Sequence, residues 1–449
     1  MLGLVTYTSI LLGLLVGTWI RPAVGLAAVL SLYGLKQWGQ SSTALLSEYR
    51  QFTNYAVFAL CIIGVVRAAG RRGCVVCGLS TSAWLVLVLY LYALLSIIWA
   101  PDLATSLDQW VITAPYILTI TLLAPLLIDD LDDARKAFLA TAFAGAALCL
   151  LALLFGHWGD RGLVLFGHEA LQDDYNIYKY ETNPLALSTL AGTVFVIASL
   201  SLSRPNGLLM RLFALVCIPS SLVVILKSGS RGQLVASILS VLVALPISFK
   251  PRDGRSVAGL TAAAGSILGL VCLGISFVDF TSGRWSNDRA SQDLAGRFEM
   301  AQRLLGASTS HFLTTVFGLG NSSSFKVVGI YPHITGLEVL AEEGLVGALL
   351  YAAVLYLAFR SVRRISRQPE LSAGGRNALA ILTALFVFEL VLSWKQGSLL
   401  FSVYVFAYAI LLSRLESPSP SPSAASSLAA ARADANEGAL ARPFPNLLP

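Results

Sequence analysis

The chain reads as all-α: a polytopic membrane helical bundle of about 12 transmembrane helices, with one large loop that carries short helices. Three observations predict this. Apolar residues make up 56% of the 449 positions and charged residues 12%, with a mean hydropathy of +0.73; a soluble protein of this length needs far more charge to cover its surface. Apolar runs of about 18 residues recur, enough to cross about 30 Å of hydrocarbon. No series of alternating ten-residue strands, as a membrane barrel requires, is present. Backbone in lipid must satisfy its own hydrogen bonds, so the runs are helices.

In chain order, apolar spans are expected near 2–20, 23–38, 53–66, 80–99, 109–128, 137–155, 184–203, 208–226, 232–249, 257–280, 344–359, 377–394 and 398–413. These are thirteen candidates. The first two are separated only by Arg21-Pro22 and the third is short, so twelve crossings with both ends on one side is the expected count. Basic residues crowd three short loops: Arg67, Arg71 and Arg72; Lys250, Arg252 and Arg255; and Arg360, Arg363, Arg364, Arg367 and Arg376. Alternation puts all three on one side, and the positive-inside rule makes that side the cytoplasm. The acidic loop DDLDDARK (129–136) falls there too. The net charge of +6 reflects such loop arginines and orients helices; no nucleic-acid partner is expected.

Residues 1–416 are expected to form the integral membrane domain. Residues 417–449, opening with SPSPSPSAASS, read as a disordered Ser/Pro/Ala-rich cytoplasmic tail. The first apolar stretch lacks a basic leader and is expected to be retained. Cys61, Cys149, Cys217 and Cys272 lie in apolar runs and read as small core residues. Cys74 and Cys77 form a lone C-x-x-C with no second pair to complete a zinc site.

The two long loops, 156–183 and 281–336, fall opposite the basic loops, and loops of this length are usually functional or disordered. All four histidines, His157, His168, His311 and His333, lie in them. Within the larger loop, DLAGRFEMAQRLLGASTSHFLTTVFGLG has helical spacing, with Leu294, Phe298, Ala301, Leu304 and Leu305 on one face and Arg297 and Arg303 elsewhere. This predicts an amphipathic helix at the membrane surface. GLGNSSS (318–324) reads as a turn whose backbone N–H groups could meet an anion. LKSGSRGQLVASIL (226–239) sets Lys227 and Arg231 at the membrane edge, with Arg231 at a helix N-terminus. A cation there opposes the helix dipole unless it shares an anion with the exposed N–H groups; the alternative is an arginine snorkelling to lipid headgroups. Thr335-x-x-Glu338 fits a capping box, and carboxylates in a first turn favour the dipole, so Glu338 and Glu342 read first as structural. His333, held after Pro332 in extended backbone, is not explained in that way.

At this point the residues resemble a family. His333, followed after ten residues by Gly344-Leu345-Val346-Gly347, is similar to the signature of the bacterial O-antigen ligase and polymerase family. The likeness extends through PHITGLEVLAEEGLVG; SGSRGQLVASIL around Arg231 resembles the family's Ser-Arg-Gly segment. AGRFEMAQRLL around Arg297 looks like its arginine-led periplasmic helix, FGLGNSSSF like the glycine turn that follows, and NPLALSTLAG (183–192) like an upstream Asn-Pro helix opening. The order agrees over a signature core of 183–350, with 281–336 as the periplasmic loop. Ile334 departs from the family, where a polar residue usually follows the histidine.

The resemblance implies a GT-C-like fold in the bacterial inner membrane. The active site would lie on the periplasmic face and transfer a glycan from undecaprenyl diphosphate to a sugar hydroxyl on a lipid A-core or glycan acceptor. It implies metal-independent catalysis without a cofactor, Arg231 and Arg297 binding the diphosphate, and His333 as the base. Glu338 or Glu342 would hold the acceptor or orient the ring. Arg161, Lys179, Lys227 and Arg303 would add positive field; Asp288 and Asp293 are the loop acids that leave a metal open. Ligase is the expected activity and polymerase its alternative. A transporter or lipid-linked glycan flippase is the rival from another class. It predicts an internal repeat and mid-membrane charge; no convincing repeat appears, though Glu389 in ALFVFELVLSW is such a charge. A structural scaffold would not need arginines at a helix mouth beside a histidine.

Overall fold

Helices carry nearly all of the chain in the computed structural model, which describes residues 2–72, 79–158, 163–165, 183–202, 208–249, 253–278, 285 and 287–416. The exception is one antiparallel pair of three-residue strands, Gly156–Trp158 with Leu163–Leu165. Among the described residues eleven helices are long and apolar enough to cross a membrane. The protein is thus a polytopic helical bundle. The 417–449 tail, Cys74 and Cys77, His168, Arg161 and Lys179 lie outside the described residues, as do the side chains of His157, Asp288 and Asp293.

Two further stretches traverse the bundle although they are broken or short. Val24–Leu30 runs through Ser31 into Leu32–Ser42, and Val403–Glu416 closes the bundle. Leu2–Ile20 lies antiparallel to the Val24–Ser42 pair. A Cβ on Gly3 would meet Ser42, one on Gly17 would meet Val24, and Arg71 donates to the Ile20 carbonyl at 3.1 Å. The Arg21-Pro22 link is therefore a tight reversal, with Arg21 N–H bonded to Gly17 O at 2.8 Å and Val24 N–H to Arg21 O at 3.0 Å. These two stretches and the eleven longer helices together account for the thirteen apolar runs of the sequence.

Two of the basic loops lie at one end. Arg71 reaches Ile20 there; Arg414 pairs with Asp129 at 3.1 Å and Arg364 with Glu416 at 2.5 Å. The segment from Asn287 to Glu343 folds over the opposite end as four short helices, Asn287–Ser308, Phe312–Phe317, Ser324–Val328 and Thr335–Glu342. At the bundle centre stands Pro184–Leu202, 78% of whose span is buried, beside Ala373–Gln396 with 72%. Gly192 allows their close approach, because a Cβ would come within 2.6 Å of the Phe388 ring. Gly254–Ile275 lies at the rim with 6% buried. Cys61, Cys149 and Cys217 are buried as expected, but Cys272, on that rim helix, is exposed.

Candidate functional site

Three separate segments deliver side chains to one cavity of about 840 Å³ at the end covered by the short helices. The first is the reversal between Leu208–Lys227 and Arg231–Phe249. Ser228 N–H bonds Val224 O at 3.0 Å, Gly229 N–H bonds Leu226 O at 3.0 Å, and Gly229 takes φ +65°, the left-handed residue that ends many helices. Arg231 then opens the next helix, and its guanidinium lies 5.6 Å from the centre of the Trp285 ring, within cation–π reach. The sequence placed Arg231 at a helix N-terminus, and the turn residues explain why: Gly229 reverses the chain in too few residues for the arginine to lie elsewhere.

The second segment is the surface helix Asn287–Ser308. Its Arg297 donates to the Lys395 carbonyl at the last turn of Ala373–Gln396. Carbonyls there lack helical partners and carry the negative end of the dipole, so a guanidinium suits them. The expected facing of this helix holds at Leu304, which is fully buried, but not at Phe298, which is exposed. Arg297 turns toward the protein body because that carbonyl end lies beneath it. Arg303 lies on the outer surface and pairs with Glu299 at 2.5 Å.

The third segment carries His333. Its φ is +63°, a left-handed conformation uncommon outside glycine, so the backbone is not extended after Pro332 as expected. The imidazole meets the Tyr331 ring edge-on, with centroids 4.3 Å apart. Burial pushes its pKa below the usual histidine range, and the positive charges of Arg297 and Lys395 push the same way. The ring is therefore neutral near pH 7.

Arg231, Arg297 and His333 all line the cavity, together with Lys36, Lys395 and Glu389. Among the described residues the lining thus sets four basic side chains against one carboxyl group. Lys36 and Lys395 escaped the sequence reading. The available signal was position: each is a lysine inside or just past an apolar span, at the end where Arg231 lies. Lys395 runs across the mouth of the Arg231 helix, where a Cβ on Gly232 would come within 2.3 Å of its Cδ. Gln233, buried in the same turn, donates to Gln396 Oε1 at 3.0 Å. Asn183 opens Pro184–Leu202 by accepting from Leu185 N–H at 3.0 Å, and its own N–H donates to Gln37 Oε1 at 2.6 Å, which ties the cavity wall to the second crossing.

The glutamates after His333 do something else. Glu338, Glu342 and Glu343 are buried and do not line the cavity. No capping box forms, since Ile334 is the N-cap without a side-chain bond and the Thr335 hydroxyl donates to Ser393 O at 3.0 Å. Glu338 instead accepts from Ser398 Oγ at 2.9 Å and Leu399 N–H at 3.3 Å. Glu342 accepts from the N–H groups of Ser322 and Ser324 at 2.6 and 2.8 Å, and Glu343 from Asn321 Nδ2 at 2.8 Å. The N–H groups of the GLGNSSS turn are taken up by the chain's own Glu342 carboxyl. Neither Glu338 nor Glu342 is placed to hold an acceptor or orient His333; both fix backbone beneath it. Burial raises the pKa of Glu338 and of Glu343, and neighbouring carboxylates raise both further.

The glycines of the H-x10-G-x-x-G pattern belong to this support. Gly318 and Gly344 have φ of +83° and +66°, and a Cβ on Gly344 would lie 2.4 Å from Gly318 N. Lys227 is exposed and sits 6.0 Å from the Trp158 ring, away from the cavity. Among the described residues no three His, Cys, Asp or Glu side chains gather to hold a metal ion. No family model matches the chain, and no curated protein matches its sequence. The arrangement can bind a multiply charged anion beside an uncharged imidazole.

Proposed function

We propose that the protein is a glycosyltransferase of the O-antigen ligase type. It moves a glycan from undecaprenyl diphosphate to a sugar hydroxyl at the periplasmic face of a bacterial inner membrane, within a GT-C-like architecture. One observation supports this above the others: Arg231, Arg297 and His333, 102 positions apart from first to last by their numbering, line a single cavity at one end of a membrane bundle. Arginine forks match phosphate oxygens, and the neutral imidazole can accept a proton.

In the proposed reaction the acceptor oxygen attacks the anomeric carbon of the donor glycan while its proton passes to His333. The bond from that carbon to the diphosphate oxygen breaks, and the electron pair leaves with the diphosphate. Charge grows on that oxygen as the bond stretches, so fixed guanidinium groups favour the transition state over the ground state. Lys36 and Lys395 add to the same field. Surface-glycan analysis of a deletion strain tests the reading. Long chains left on undecaprenyl diphosphate support ligase; single-repeat glycans on the acceptor support the polymerase of the same family. Unaltered glycans overturn both. Glu389, in a crossing helix and facing the cavity, favours the rival reading of a transporter. Transport of lipid-linked glycan without transfer, measured in reconstituted vesicles, would decide for it.

A further inference from the structure

The proposed chemistry leaves one group of the cavity without work. Glu389 belongs to the crossing helix Ala373–Gln396 and opens into the cavity. It lies six residues before Lys395, about 9 Å deeper along the helix axis. Unlike the three glutamates under His333, it receives no hydrogen bond or ion pair from any described residue. An ionisable group within a membrane span and without such a partner among the described residues is costly, and such residues serve a ligand or a pathway.

Its surroundings define the ligand. Tyr33 and Tyr404 line the cavity beside it, with ring centroids 5.8 Å apart and edge-on. The Tyr404 hydroxyl donates to Val29 O at 2.8 Å, which fixes that ring as a wall. Aromatic faces with one carboxyl group suit a ring bearing hydroxyl groups: the apolar face of the ring packs on the phenols, and the hydroxyls hydrogen-bond to the carboxyl. A cationic ligand is disfavoured, because it would have to pass Lys36, Arg231, Arg297 and Lys395.

We infer that Glu389, walled by Tyr33 and Tyr404, forms a sugar subsite at the cavity floor that binds hydroxyl groups of the residue joined to the diphosphate. This rests on the diphosphate reading of the arginines, and it splits the cavity into a cationic rim for phosphate and an acidic, aromatic floor for carbohydrate. Glu389 is in this view a specificity residue: it selects a glycosylated carrier over the bare carrier lipid, which shares the diphosphate and would otherwise compete.

The test uses the full chain in lipid nanodiscs and two probes, undecaprenyl diphosphate and undecaprenyl diphosphate bearing one hexose. The wild-type protein should bind the hexose-bearing probe more tightly. Glu389→Ala should lower that preference by about tenfold, as expected for a lost buried hydrogen bond, and leave affinity for the bare probe unchanged. Glu389→Gln, which keeps one acceptor oxygen, should fall between. Arg231→Ala should weaken both probes alike. An unchanged preference in both Glu389 variants, equal weakening of both probes by them, or a wild-type protein without preference overturns the subsite. Normal binding of the bare probe by Arg231→Ala overturns the diphosphate reading instead, and the Glu389 ratio is read independently of it.

Discussion

Two groups of ionisable side chains flank His333, and the protein uses them in opposite ways. Behind the histidine, Glu338, Glu342 and Glu343 are buried and accept from Leu399, Ser322, Ser324 and two side chains. In front of it, Lys36, Arg231, Arg297 and Lys395 face a cavity. The acids are joined to backbone that must not move; the cations border space that must be filled. A buried carboxyl group that takes up fixed N–H groups holds backbone in place, whereas charges of one sign around an opening raise the local concentration of the opposite ion.

The contrast can be broken most severely from the cationic side. Arg231→Ala or Arg297→Ala should reduce glycan transfer at least about 100-fold while the protein remains in the membrane at normal level; transfer assays with quantitative immunoblots read both. His333→Ala should lower the rate by about 100-fold or more. In the proposed mechanism protonation of His333 removes the base, so the rate should fall as pH drops through a pKa below 6.5. Lys395→Gln withdraws one of the charges that lower it, and the acid limb of the pH–rate profile should move back toward 6.5.

The acidic side should respond in abundance and stability. Gly344→Ala meets both a left-handed backbone, worth ~1–2 kcal/mol, and a contact with Gly318 N, so membrane level and melting temperature should fall. Glu338 and Glu343 have raised pKa values. Their contribution to stability is complete below the unfolded value of 4.5 and is lost as pH rises through the folded one. Melting temperature should therefore decline toward alkaline pH, and Glu343→Gln should flatten that decline. Arg303→Ala removes an exposed pair with Glu299, and transfer and melting temperature should both stay within error.

Much of the bundle was legible because hydrocarbon thickness and backbone hydrogen bonding leave one solution for long apolar runs, and all thirteen stretches are helices. Arg231 was legible for a similar reason: Gly229 and the flanking spans confine it to a helix mouth. The role of the glutamates was not. Thr335 and Glu338 have capping-box spacing, but local spacing cannot reveal that Ser393 and Ser398, some 60 residues away, compete for those side chains and win. The left-handed backbone of His333 is set by tertiary packing that Pro332 does not encode. Lys36 and Lys395 carry no local mark in the sequence; only folding brings them to one opening.

The rim helix Gly254–Ile275 has a separate consequence. With Val271 as its buried residue, it meets acyl chains along most of its length, and lipid tails do not distinguish one aliphatic surface from another. It joins the arginine-bearing hairpin to the segment that carries Arg297 and His333, as a cable of fixed length whose lettering is largely arbitrary. Substitutions should drift through its surface freely while any deletion shortens the cable, so insertions and losses, rather than exchanges, are the changes this stretch resists.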